Sequence, residues 1–261
     1  MTLENKKFNL LLSGGAALGY AHIGVCDFLQ ERALAPYSYH GVSMGALVAS
    51  VEALDISLEE KKKIYKEISS IFKWLSFSFS RSLISFKKIE KIVDSIFKNS
   101  TFKDISTPLY IGVTEYSSGE YISFSKENNV LIKEALLASI AVPALFPPMK
   151  INSSVFVDGY ISSNLPLYSV DNDYINIVVN VTGKNSFYKY SSSKLLELSL
   201  FKNLERSIRI LIYNQTKLAL SQWKKAYILL EPELFAFKTT HFYKFSQIKA
   251  KGYKEAKKIL V

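Results

Sequence analysis

Residues 41–45 read Gly41-Val42-Ser43-Met44-Gly45. A serine held between small residues on a strand-to-helix turn projects its oxygen at a helix N-terminus, where partial positive charge favours a developing anion. Such a serine is a candidate nucleophile for acyl transfer. The competing role is helix capping, which needs no glycines on either side. What separates the two is whether the chain also supplies oxyanion donors and a base.

Donors are offered by "LLSGGAALGYAHIGV", residues 11–25. Glycines after a buried strand and before a helix can aim backbone N–H groups at an anion. Gly14-Gly15-Ala16-Ala17-Leu18-Gly19 lacks the G-x-G-x-x-G spacing of a dinucleotide fingerprint, and no lysine follows Gly19 as a phosphate loop requires. An oxyanion hole near Ser43 is the functional reading, and a tight turn packing helix on sheet is the structural one. The base is less evident. Of the three histidines, only His241 lies late enough for a Ser-His-Asp order; His22 falls among helical residues and His40 precedes the elbow. Asp158 in "VFVDGY" stands where a strand leaves the sheet, which suits a catalytic carboxylate and equally suits an Asp-Gly turn.

These residues need a scaffold. "KFNLLLSGG" reads as a buried strand ending in a glycine turn, with a helix from about Ala21 to Arg32. "YSYHGV" then "SMGALVASVEAL" repeats the strand–turn–helix order, so a mostly parallel sheet in an α/β fold is expected. Residues 59–100 read as helical and basic. "PLYIGVTEY" and "YISFS" flank a Ser-Ser-Gly-Glu turn as a hairpin, and "NVLIKEALLASIAV" is a helix ended by Pro143. "VFVDGY", "YINIVVNV" and "AYILLEP" are strands; a long helix spans about Ser193 to Trp223, and "SQIKAKGYKEAKKIL" is an amphipathic C-terminal helix. With no repeat or linker, residues 1–261 read as one domain, a core of about 8–170 with a helical region of about 193–261 packed on it.

Composition narrows the chemistry. The 261 residues are 48% hydrophobic and 21% charged, ordinary for a globular chain. Cys26 is the sole cysteine, which removes disulfides and cysteine-based zinc sites, and three scattered histidines argue against a histidine metal centre, so no metal or cofactor is expected. "FNLLL" is too short for a secretory h-region, and "ALLASIAVPALFPP" is too short and proline-rich for a membrane span. A cytoplasmic protein, peripheral at the inner membrane face, is the expectation. Net charge is +10. Residues 61–103 hold 11 basic and 3 acidic residues, and 238–261 hold 7 basic and 1 acidic. Such segments suit an anionic membrane surface. No nucleic-acid recognition motif accompanies them, so no nucleic acid is expected.

Together these segments resemble the patatin-like phospholipase family, serine acyl hydrolases with a Ser-Asp dyad. Four blocks occur in family order: "SGGAALGYAHIGV", "GVSMGA", "ASIAVPALFPP" and "VFVDGYISSNLP". The resemblance runs from about Phe8 to Lys258. It implies a three-layer fold, Ser43 as nucleophile, Asp158 as general base, and an oxyanion hole of Gly14, Gly15, Ala16 and Met44. Gly19, Gly41, Gly45 and Gly159 would support the motifs, with Asn164 and Pro166 in structural roles. The implied substrate is a phospholipid or lysophospholipid. Three positions depart from the pattern: Ala16 replaces a third glycine, Leu18 replaces a lysine or arginine, and Tyr160 replaces a small residue. Alanine is costly at position 16 only where the backbone needs positive φ. Two other readings stay open, an acyltransferase using the same acyl-serine and a weakly active lipid-binding protein with a decayed oxyanion site.

A last expectation concerns "IFKWLSFSFSRSLISFKK", which mixes Phe72, Trp74, Phe77, Phe79 and Phe86 with basic residues. It is either a membrane-docking surface or an aromatic-rich helical core.

Overall fold

The computed structural model describes residues 6–75, 82–188, 191 and 199–261. β1 (Phe8–Leu12) and β7 (Ile175–Val179) are the apolar centre of an eight-stranded sheet. Leu10, Leu11 and Leu12 are fully buried, so both faces of β1 are covered, as expected of a central parallel strand. Each such leucine contributes roughly 1.5–3 kcal/mol of burial. The sheet order is β5-β6-β3-β2-β1-β7-β8, with β4 on the other edge of β3. The remaining strands are β2 (Ser38–Val42), β3 (Leu109–Glu115), β4 (Tyr121–Phe124), β5 (Met149–Ile151), β6 (Ser154–Asp158) and β8 (Tyr227–Leu230).

From β3 to β8 every neighbour is parallel, whereas β4, β5 and β6 are antiparallel additions at one side. The expected mostly parallel α/β sheet is therefore present, flanked by helices on both faces. Alternation along β1 assigns those faces. Leu10 and Leu12 pack into a large core with α1 (Tyr20–Glu31), α2 (Met44–Ala53), α3 (Leu58–Leu75), α4 (Ser82–Phe97), α5 (Ile132–Ser139) and α7 (Phe245–Ile259). Leu11 and Val178 point the other way, onto Leu165, Leu167 and Val170. There Ala219, Leu220 and Trp223, at the end of α6 (Leu200–Gln222), close the layer.

Three differences from the expected elements have local causes. α5 ends at Ser139, before Pro143, because a helix continuing to Pro143 would drive its ring into the Ser139 carbonyl four residues back. β5 is a three-residue strand turned back onto β6 through Asn152, whose φ is +54°. Residues 193–198 of the anticipated long helix lie outside the described residues.

The aromatic segment divides similarly. Phe77, Phe79 and Arg81 lie outside the described residues. Phe72 and Phe86 are buried, stacked on Phe242 and packed against Phe146 respectively. These two rings belong to the core.

Candidate active site

The register of β3 brings two distant strand ends together. Residues 109–112 of β3 pair with 39–42 of β2, and residues 113–115 pair with 158–156 of β6. Since β4 pairs with residues 111–114 along the opposite edge, β2 and β6 share one edge and meet head to head. Val42 ends opposite Gly112, and Asp158 ends opposite the next residue, Val113. Ser43 and Asp158 therefore face each other across 115 residues of chain.

Ser43 sits on the turn between β2 and α2 with φ +56° and ψ −124°, a strained conformation for a non-glycine residue. Close packing holds it there. A side chain on Gly45 would collide with the Leu12 carbonyl, and one on Gly41 with the backbone of Ala46. The Ser43 N–H donates to Ser139 Oγ at 2.8 Å, and Ser139 Oγ donates to the Gly112 carbonyl at 2.7 Å. The Ser43 side chain makes no capping bond to its own helix. Its Oγ donates instead to Asp158 Oδ2 at 2.5 Å.

Asp158 is fully buried and its backbone is fixed on both sides. Its N–H donates to the Ala141 carbonyl at 3.1 Å, and its carbonyl accepts from Thr114 Oγ1 at 3.0 Å. Oδ1 accepts the Tyr160 N–H at 3.1 Å. Burial raises its pKa from 3.8 to about 7, while the Ser43 and Tyr160 hydrogen bonds pull the other way. A carboxylate at that value is poised to exchange a proton near neutrality.

The glycine-rich turn borders the same space. Gly15, Ala16 and Ser43 line a cleft of about 220 Å³ whose lining also includes Val142, Leu145, Ile208 and Ile212. Gly14 sits just behind, its N–H committed to the Asn164 carbonyl at 3.1 Å, so its amide is not free for an oxyanion. Asn164, anchored through Nδ2 to Thr182 Oγ1 at 2.7 Å, thus shapes the loop from outside. The amides of Gly15, Ala16 and the helix-opening Met44 are the remaining candidates. Ala16 has φ +47°, so the glycine-to-alanine departure falls at a position where a β-carbon costs roughly 1–2 kcal/mol. Gly19 packs against the Met44 side chain, and Gly159 against the Gly112 carbonyl and Val42, between the two strand ends. Leu18 is in the core. Tyr160 lines the cleft.

All three histidines are engaged elsewhere. His22 Nε2 bonds the Ser13 carbonyl at 2.8 Å, and His40, in the middle of β2, bridges Ser38 and Ser169. Burial pushes their pKa values down to about 4 and about 3, so both stay neutral. His241 Nδ1 accepts the Lys238 N–H at 3.2 Å. Among the described residues, no group of three or more His, Cys, Asp or Glu side chains could hold a metal ion. Nor is any described helix long and apolar enough to cross a membrane. Ser139 went unassigned in the sequence, although "ASIAVP" carried it beside a helix-ending proline.

The architecture is that of an α/β protein with a serine on a strained strand-to-helix turn opposed by a buried carboxylate. The patatin-like phospholipase family model matches residues 10–171, and the chain belongs to that family. An uncharacterised protein of Acanthamoeba polyphaga mimivirus is 26% identical over 70% of this chain and 67% of its own length. An uncharacterised NTE family protein of Mycobacterium bovis is 29% identical over 68% of this chain, which spans about half of that relative, 49%. Lysophospholipase NTE1 of Candida glabrata is 27% identical over 63% of this chain and 10% of its own. In fold, VipD from Legionella pneumophila superposes with a TM-score of 0.56 at 15% identity, covering 98% of this chain and 67% of VipD.

Proposed function

We propose that the chain is a serine acyl hydrolase cleaving fatty-acyl esters of phospholipid or lysophospholipid through a Ser43–Asp158 dyad. The observation that carries this reading is the 2.5 Å hydrogen bond to a fully buried Asp158 from Oγ of Ser43, which lines an apolar cleft.

Asp158 takes the Ser43 proton as Oγ attacks the acyl carbonyl carbon. The tetrahedral oxyanion is met by the amides of Gly15, Ala16 and Met44, reinforced by the N-terminal dipole of α2. Alanine at position 16 keeps its N–H, so the departure from glycine strains the loop without removing a donor. Collapse breaks the ester bond, and protonated Asp158 returns the proton to the leaving alkoxide. The acyl-serine is then hydrolysed by water that Asp158 deprotonates, releasing the fatty acid and restoring Ser43. Val142, Leu145, Ile208 and Ile212 supply an apolar wall suited to an acyl chain. The relative named as a lysophospholipase supports a lipid ester as substrate.

The test is turnover of phospholipid, lysophospholipid and short p-nitrophenyl esters by the wild type and Asp158→Asn. Hydrolysis of a lipid ester that falls on the order of a thousandfold in the variant is expected. Wild-type inertness toward all three, or unchanged turnover in the variant, removes the reading.

A further inference from the structure

α6 has two apolar faces, and only one is used inside the fold. Ile208 and Ile212 line the cleft, while Ala219 and Leu220 close the small core over Leu11 and Val178. The adjoining face carries Leu200, Leu204, Leu211 and Leu218, at spacings of four, seven and seven that align them in one stripe. They are 87%, 57%, 68% and 59% exposed. Single exposed leucines are unremarkable, but four along one helix face form a patch of the kind that meets another apolar phase.

Two further observations say what that phase is. Leu204 is exposed and also lines the cleft, so the stripe runs into the mouth of the space holding Ser43. Residues 200–225 contain six basic residues and one acidic, and Lys202, Lys217 and Lys224 are exposed. The one acid, Glu205, turns toward the cleft and accepts from Thr239 Oγ1 at 2.8 Å. A leucine stripe on one side of a helix with lysines on the other is the composition of a helix lying in a lipid interface.

We propose that α6 docks flat on an anionic lipid surface, its leucines entering the acyl layer and its lysines meeting head groups. An acyl ester then passes into the cleft at Leu204. This rests on the lipid-ester reading above, but its test is separable from that reading. A second copy of the chain would need an apolar counter-face; the basic polar side of the segment and the opening onto the cleft favour lipid.

Vesicle co-sedimentation tests it, with Ser43→Ala as background so that lipid is not consumed. Two variants are compared, Leu211→Gln/Leu218→Gln and Lys202→Glu/Lys217→Glu/Lys224→Glu. The parent is expected to bind phosphatidylcholine–phosphatidylglycerol vesicles well above pure phosphatidylcholine, and each variant to bind them about tenfold more weakly or worse. With Ser43 restored, both variants should turn over a soluble short-chain ester at the wild-type rate, which reports an intact fold. Undiminished vesicle binding by the variants overturns the proposal. So does a parent that ignores anionic vesicles, or a solution dimer that Leu211→Gln/Leu218→Gln dissolves. Vesicle binding as expected without ester turnover by the wild type would remove the hydrolase reading and leave the docking face standing.

Discussion

Ser139 Oγ accepts the backbone N–H of Ser43 at 2.8 Å while donating to the Gly112 carbonyl at 2.7 Å. One hydroxyl therefore ties the last residue of α5 to the elbow and to β3. It satisfies a buried amide on a residue whose φ is +56°. The strained turn is held by this bond as well as by packing.

Ser139→Ala leaves that amide without its acceptor, which costs roughly 1–3 kcal/mol. The elbow then relaxes, and kcat toward an ester is expected to fall about ten- to hundredfold through misplacement of Oγ. KM should be nearly unchanged, because Ser139 does not line the cleft. Active-site titration separates this from general destabilisation, which lowers the fraction of active enzyme and leaves turnover per active site unchanged.

In the proposed dyad the protonation of Asp158 sets a pH profile. With its pKa raised to about 7, Asp158 is protonated under acid conditions and so idle as a base. The expected kcat/KM rises with pH, reaches half its plateau near pH 7 and stays flat above. A profile already flat from pH 5 would mean that Asp158 is not the titrating base.

The same burial makes Asp158 a liability to stability. Its folded value lies above the unfolded value of 3.8, so the native state binds the proton more tightly. Stability is undiminished below about pH 4, falls as pH rises to about 7 and is constant beyond, a loss of order 4 kcal/mol. Asp158→Asn removes the charge and keeps an acceptor for Ser43. Its melting temperature at pH 8 should equal or exceed that of the wild type, while the two converge at pH 4. Thermal melts at both pH values check this.

Ala16 offers a stability test at the oxyanion loop. Its φ of +47° favours glycine, so Ala16→Gly relieves strain of roughly 1 kcal/mol against a comparable gain in unfolded-chain entropy. The expected melting temperature is unchanged or slightly raised, where the same substitution in an ordinary helix would lower it. A clear drop would show that Ala16 is not strained in solution.

The sequence carried much of this arrangement, for identifiable reasons. Apolar runs such as "FNLLL" and "INIVV" fixed the central strands, and glycines bracketing Ser43 and preceding α1 marked the turns that border the cleft. Asp158 was balanced between turn and carboxylate because its partner depends on the register of β3, a long-range pairing that no local pattern encodes. Gly14 shows the same gap: its glycine was conspicuous, yet its amide is spent on Asn164, 150 residues away. Ser139 was hidden for the opposite reason, since a serine near a helix end is commonplace until its neighbours are known. The outer stripe of α6 lay in view as leucines at heptad-like spacing, but only the sheet reveals which face is left uncovered.

The most direct measurement is fluorophosphonate labelling with peptide mapping, applied to the wild type, Ser43→Ala and Asp158→Asn. A single adduct on Ser43 in the wild type is expected, absent in Ser43→Ala and strongly slowed in Asp158→Asn. Labelling of Ser43→Ala as strong as the wild type, or an adduct mapped to another residue, would contradict the dyad.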